Sequence, residues 1–128
     1  MDAVWSLLRD NGWGHRFPSA SALAHVIAAS QRAMVAVDAL GKPVGFARAI
    51  TDEHSNGYLS MVVVDANCRR QGVGRALVVA ITESSPAVTW VLRAGREGAS
   101  VFFASLGFVP SVVAMERPRS TGPKEERS

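Results

Sequence analysis

The chain has 128 residues, 48% hydrophobic and 20% charged, with a formal net charge of +3, a size that fits one packed domain. Its one cysteine, Cys68, excludes an internal disulfide, and its three histidines are too scattered for a Cys/His metal site. No apolar run reaches the length of a membrane span and no basic-then-apolar leader opens the chain, so the expected setting is a reducing, cytoplasmic one.

In chain order, Val4, Leu7 and Leu8 share one helical face, and Gly12-Trp13-Gly14 ends that segment. Ser19 or Ser21 caps a second helix, in which Leu23, Val26 and Ile27 recur at helical spacing. Ala33 to Asp38 reads as a strand, Leu40-Gly41-Lys42-Pro43 as a turn, and Val44 to Ile50 as the returning strand. A polar loop over Asp52 to Gly57 precedes a strand from Tyr58 to Val64. A helix follows from Gly72 to Glu83 and stops before Pro86. Then come a strand, Ala87 to Ala94, and a helix, Gly98 to Leu106. Phe108 opens a last hairpin whose second arm is Val112 to Glu116. Residues 117–128 are rich in Pro, Ser and charge and read as a disordered tail, which leaves 1–116 as a single domain. Strands outnumber helices and a strand–helix–strand unit sits in the middle, which predicts an α/β (α+β) fold with a mixed sheet.

The connection from Asp65 to Arg75 carries the most chemistry. Arg69, two residues, Gly72, one residue and Gly74 lead straight from an apolar strand into an apolar helical pattern. Unpaired N–H groups at a helix N-terminus and the helix dipole both favour an anion. Glycine permits close backbone approach, and arginine adds forked donors suited to phosphate. The dinucleotide fingerprint needs a third glycine where Leu77 stands, and no Gly-Lys-Ser/Thr of a P-loop is present. A tight turn with solvated arginines fits the same residues.

This R-x-x-G-x-G loop resembles the acyl-CoA pyrophosphate loop of the GNAT superfamily of N-acetyltransferases. Residues Ala99 to Phe108, with Phe102, Phe103, Gly107 and Phe108 in step, resemble the second signature of that superfamily. The similarity runs from about Trp5 to Met115 and keeps the order of elements. It implies a mostly antiparallel mixed sheet flanked by helices and splayed near the strand Tyr58–Val64. The usual strand before the first helix does not appear: either it is lost or the true start lies upstream of Met1, and a missing edge strand exposes unpaired backbone groups and favours dimerisation or poor stability. A dimer through the last strands is a second expectation.

The resemblance further implies transfer of acetyl from acetyl-CoA to a primary amine, by direct attack in a ternary complex. Backbone groups of Val62, Val63 and Val64 would pair with pantetheine as with an added strand. Arg69 would open a wrap around the pyrophosphate made by Arg70, Gln71, Gly72, Val73, Gly74 and Arg75. A backbone N–H near Val62 would serve the oxyanion. The attacking amine must lose a proton, since a free amine has a pKa near ~10.4. Asp52, Glu53 and His54 are candidates for that base, although the three also suit a solvated turn. Ser60 would hold a water or touch substrate, or simply fill the strand face. Phe103 stands where the superfamily often places a tyrosine acid and so has no proton to give; Arg96 stands where an asparagine often contacts CoA. A thiol of pKa near ~8.5 still departs as thiolate at modest cost.

Other residues admit plainer readings. Cys68 lies beside the loop without a histidine partner, which argues against a nucleophilic thiol. Trp13, His15 and Phe17 fall between the first two helices, where the superfamily covers its acceptor site, and also suit helix packing. Two alternatives stand beside the enzyme: a non-catalytic acyl-CoA-binding domain, and a module holding other phosphate ligands through its arginines. No basic helix with interleaved aromatics supports nucleic acid. Superfamily members acetylate antibiotics, polyamines, amino acids and protein N-termini, and nothing in the sequence selects among them.

Overall fold

A computed structural model describes residues 1–120 of the chain. Residues Met1–Arg93 form one compact unit and a second begins at Ala94. In the first, α1 (Asp2–Leu8) runs into a π-helical turn, Arg9–Trp13, and then α2 (Ala20–Ala28). Four strands follow: β1 (Arg32–Val37), β2 (Pro43–Thr51), β3 (Asn56–Val64) and β4 (Thr89–Val91), with α3 (Val73–Thr82) between β3 and β4. The second unit holds α4 (Ala99–Ala104).

The strands lie in sequence order in one sheet. β1–β2 and β2–β3 are antiparallel, and β3–β4 is parallel, as a helical crossover requires. The mixed, mostly antiparallel sheet flanked by helices is the expected fold class. Its two faces follow from the period-2 alternation of β2. Phe46 faces α1 and α2 and is buried with Leu7, Leu8, Phe17, Leu23, Met61 and Val63. Gly45 faces the other way: a Cβ on it would lie 2.9 Å from Val73 and 3.0 Å from Leu77 of α3, so the missing side chain lets that helix sit close. Leu8, Leu23 and Phe46 are almost wholly buried, each removal from water favouring the fold by roughly 1.5–3 kcal/mol.

Local chemistry sets the element ends. Ser19 is the cap of α2, its hydroxyl accepting the Ala22 N–H at 3.1 Å. Trp5 donates its indole N–H to the Phe17 carbonyl at 3.0 Å, tying α1 to the linker. Phe17 is thus a core residue and Trp13 packs against the same cluster, which favours the packing reading of these aromatics, while His15 is exposed. No strand pairs with the outer edge of β1 among the described residues, and Met34, Val35 and Val37 are exposed along it.

Two expectations are corrected. The strand foreseen over Ala87–Ala94 shrinks to Thr89–Val91, because it finds only Asn56, Gly57 and Tyr58 of β3 as partners. The last hairpin from Phe108 to Glu116 is not formed: among the described residues no strand follows β4. Pro110 offers no N–H to a ladder, and the Ser111 hydroxyl accepts the N–H groups of Val113 and Ala114 at 3.2 and 3.0 Å, bending the chain where a strand would run straight. A dimer through those strands loses its basis. The expected disorder of 117–128 falls mostly outside the described residues; 117–120 are irregular and exposed.

Candidate functional site

β3 is the element on which the candidate site is built. It pairs with β2 along its length but with β4 only at Asn56–Tyr58. From Leu59 to Val64 no strand pairs with its other edge among the described residues, so alternate backbone groups there remain open to an extended partner. This is the expected splay, and Val62, Val63 and Val64 line it. Val63 is buried in the core while Val62 and Val64 are half-buried, so side chains pack while backbone stays free.

The pairing of β2 with β3 shifts between Arg48 and Ala49: Arg48 faces Met61 and Ala49 faces Leu59, leaving Ser60 as an extra residue. Such a bulge bends a strand and re-aims its side chains. Ser60 is brought toward Arg48, whose Nη1 donates to the Ser60 hydroxyl at 2.6 Å and whose Nε donates to the Ser30 hydroxyl at 2.7 Å. Arg48 is only 8% exposed. Burial lowers its pKa from the usual arginine value, with Tyr58 opposing. Sequence reasoning missed Arg48; an arginine inside Val44-Gly-Phe-Ala-Arg-Ala-Ile was the available signal.

At the far end of β3 the chain turns toward α3. Asp65 donates its N–H to the Val44 carbonyl at 2.8 Å, and a 3₁₀ turn at Ala66–Cys68 follows, with the Cys68 N–H on the Asp65 carbonyl. Asn11 accepts the Ala66 N–H at 3.1 Å and donates to the Leu7 carbonyl at 2.8 Å, clamping the loop to α1. Arg69 folds back, its Nε donating to the Val64 carbonyl at 3.1 Å and its Nη2 reaching Asn11 at 3.5 Å. Arg70 holds φ +65 and Gly72 φ +84. The first is uncommon for a side-chain-bearing residue, and the second is natural only for glycine. The first helical bond of α3 runs from the Ala76 N–H to the Gly72 carbonyl at 3.0 Å, so the N–H groups of Val73, Gly74 and Arg75 lie ahead of it. Arg70, Gln71, Gly72 and Arg75 are exposed around them. These residues suit an anionic diphosphate: N–H donors ahead of the first helical bond, a positive helix end and two exposed cations, Arg70 and Arg75.

Asp52, Glu53 and His54 sit at the opposite end of β3, roughly 20 Å along the strand from Val62 at about 3.3 Å per residue. Asp52 accepts the N–H groups of His54, Ser55 and Asn56 and the Ser55 hydroxyl. These bonds, the Ser55 hydroxyl foremost, hold its carboxyl well below the usual carboxylate range. Glu53 is lowered too, chiefly by its bond from Arg32. Both carboxylates are therefore weak bases tied to local structure. The Arg32 guanidinium also reaches the Ile81 carbonyl and the Ser85 hydroxyl and lies 5.4 Å from the Trp90 ring, joining β1 to α3 and β4.

In the second unit, Phe103 makes edge-to-face contacts with Phe102 at 4.9 Å and Phe108 at 5.7 Å, and the Phe108 N–H donates to the Phe103 carbonyl. Arg96 accepts the Ala99 N–H on its carbonyl just before α4. Among the described residues no three acidic, histidine or cysteine side chains converge as a metal ion would require. No helix of the described residues is long and apolar enough to cross a membrane.

Comparison with known proteins agrees with this fold. The family model described as an acetyltransferase (GNAT) domain matches residues 29–110. A GNAT-family acetyltransferase of Streptococcus pneumoniae superposes with a TM-score of 0.72 at 21% identity, over 91% of this chain and 91% of that one. A GNAT-family protein of Xanthomonas campestris gives 0.71 at 25% identity, over 91% of this chain and 83% of that one. An aminoglycoside acetyltransferase from an uncultured soil metagenomic sample gives 0.67 at 21% identity, over 93% and 91%. No protein of curated function matches the chain.

Proposed function

Since the chain belongs to the GNAT acetyltransferase domain family, we propose that it moves an acetyl group from acetyl-CoA to a primary amine, by direct attack with both substrates bound. The observation that carries this reading is the continuity of the open β3 edge with the loop and N-terminus of α3. One extended ligand with a diphosphate at its end matches both parts. Val62, Val63 and Val64 would offer backbone groups to the pantetheine arm. Arg70, Gln71, Gly72, Val73, Gly74 and Arg75 would enclose the diphosphate, with Arg69 bracing the strand end rather than reaching outward. Acetyl-CoA would supply an activated acyl carbon and a thiolate leaving group. The N–H near Val62 would meet the charge that develops on the acyl oxygen. Ser60, aimed by the bulge, would order the amine or the water that takes its proton. Asp52 and Glu53 are poor recipients of that proton because both are held acidic. Phe103 leaves the thiolate to depart without a tyrosine proton. Arg96 would add charge toward a CoA phosphate.

A second reading, an acyl-CoA-binding domain without turnover, is favoured by Phe103 and by the weak basicity of the Asp52–Glu53 pair. The expected compartment is cytoplasmic and the expected assembly a homodimer through the outer edge of β1.

Calorimetric titration with acetyl-CoA is the test. Micromolar binding that Gly74→Glu abolishes supports the site, since the new carboxylate would stand among the diphosphate donors. Gly72→Glu is a less clean control, because it also forces φ +84 on a side-chain-bearing residue. Binding that survives Gly74→Glu, or no binding by folded protein, would refute the reading. Thiol release with an amine panel then separates enzyme from binding domain.

A further inference from the structure

Two arginines in the first unit leave solvent in different company. Arg32 is met by the Glu53 carboxylate, a carbonyl, a hydroxyl and the Trp90 ring. Arg48, only 8% exposed, is met by two neutral hydroxyls, Ser30 and Ser60. Among the described residues no carboxylate pairs with it, whereas Arg9 is paired with Asp10 and Arg32 with Glu53. A guanidinium removed from water loses solvation that only an opposite charge restores fully. Its Nη2 makes no hydrogen bond among the described residues. Trp90 Nε1 is the one sealed side-chain polar atom left without a partner among them, so Arg48 Nη2 still has an opening.

The location of Arg48 gives these neutral partners a meaning. Arg48 is paired in register with Met61, between Ser60 and Val62, on the sheet face shared with Phe46 and α2. Val62 belongs to the open edge of β3 and Ser60 is the bulge residue beside it. An anion held by Nη2 would stand within one or two residues of the point where the acyl group is expected.

We propose that the acceptor is a small amine bearing a carboxylate, an amino acid, and that Arg48 binds that carboxylate. The inference rests on the acetyltransferase reading above and specifies its substrate. Ser30 and Ser60 hold two edges of the guanidinium and aim Nη2 at the carboxylate, a charge-assisted pairing of the strong kind. The amine then lies toward Ser60 and the edge at Val62. Acceptors that carry only positive charge, such as polyamines and aminoglycosides, meet like charge at Arg48 and are disfavoured.

The test compares pairs that differ only in the anion. Thiol release is followed with glycine, leucine, phenylalanine and glutamate and with their primary amides, each at saturating acetyl-CoA. Binding of the matching N-acetyl amino acids and N-acetyl amino amides is followed by calorimetry, which needs no turnover. The acids should exceed the amides by at least about tenfold in kcat/KM or affinity. Arg48→Met should bring that ratio toward one, and Arg48→Lys should restore part of it. Equal handling of acid and amide by the unaltered protein, or preference for a polyamine or aminoglycoside, would overturn the proposal whether or not Arg48→Met folds. Failure to bind acetyl-CoA would strike the acetyltransferase reading instead, and the acid-to-amide binding ratio would still decide the carboxylate site.

Discussion

Asp52 closes the loop between β2 and β3 by accepting three backbone N–H groups on one oxygen. Its folded-state pKa is depressed, so its contribution to stability is complete above the unfolded value near ~3.9 and is lost as pH falls through the lower folded value. Melting curves should show Asp52→Asn less stable than the parent by a constant margin from neutral pH to about pH 5, a margin that narrows as acid protonates the parent. Phe103 invites the opposite kind of change. Phe103→Tyr should raise the rate of thiol release wherever protonation of the leaving sulfur limits turnover, and steady-state kinetics over pH 6–9 would read it. At this scale the sequence was informative for Gly72, where a glycine marked close backbone approach and the structure gives φ +84, and silent for Arg48. Nothing in a string of residues says that a lone arginine on a strand will lack an anion; that requires the bulge and the end of α2.

Elements explain why some glycines are obligatory. A Cβ on Gly57 would lie 2.3 Å from the Trp90 ring, so β4 sits on β3 through an aromatic plate over a bare backbone. Gly57→Ala should cost about 1–3 kcal/mol in chemical denaturation, and pairing it with Trp90→Leu should recover much of the loss. Helix and strand existence was legible in residues such as Leu23, Val26 and Ile27, whose spacing admits one period only. The stretch after Phe108 was misread because Val112, Val113 and Met115 look like a strand arm. They are 97%, 85% and 98% exposed, so apolar character did not become burial once Pro110 and Ser111 bent the chain. Pairing partners, which decide whether an apolar run becomes a strand, are not encoded locally.

At the scale of the sheet, three exposed apolar residues, Met34, Val35 and Val37, lie along β1, whose outer edge no strand covers among the described residues. The strand carries no proline or lysine that would discourage a neighbour, so sedimentation at rising concentration should detect self-association that Val35→Lys abolishes. The bulge on β3 has the larger consequence. Leu59 and Met61 already stand opposite consecutive residues of β2, with Ser60 surplus between them. A chain one residue shorter, lacking Ser60, would keep every neighbouring side chain on its present face and run β2 against β3 as an unbroken ladder. Such a deletion should fold and should not acetylate. The sheet would be more regular for it, so loss of acetylation without loss of folding would assign the extra residue to chemistry.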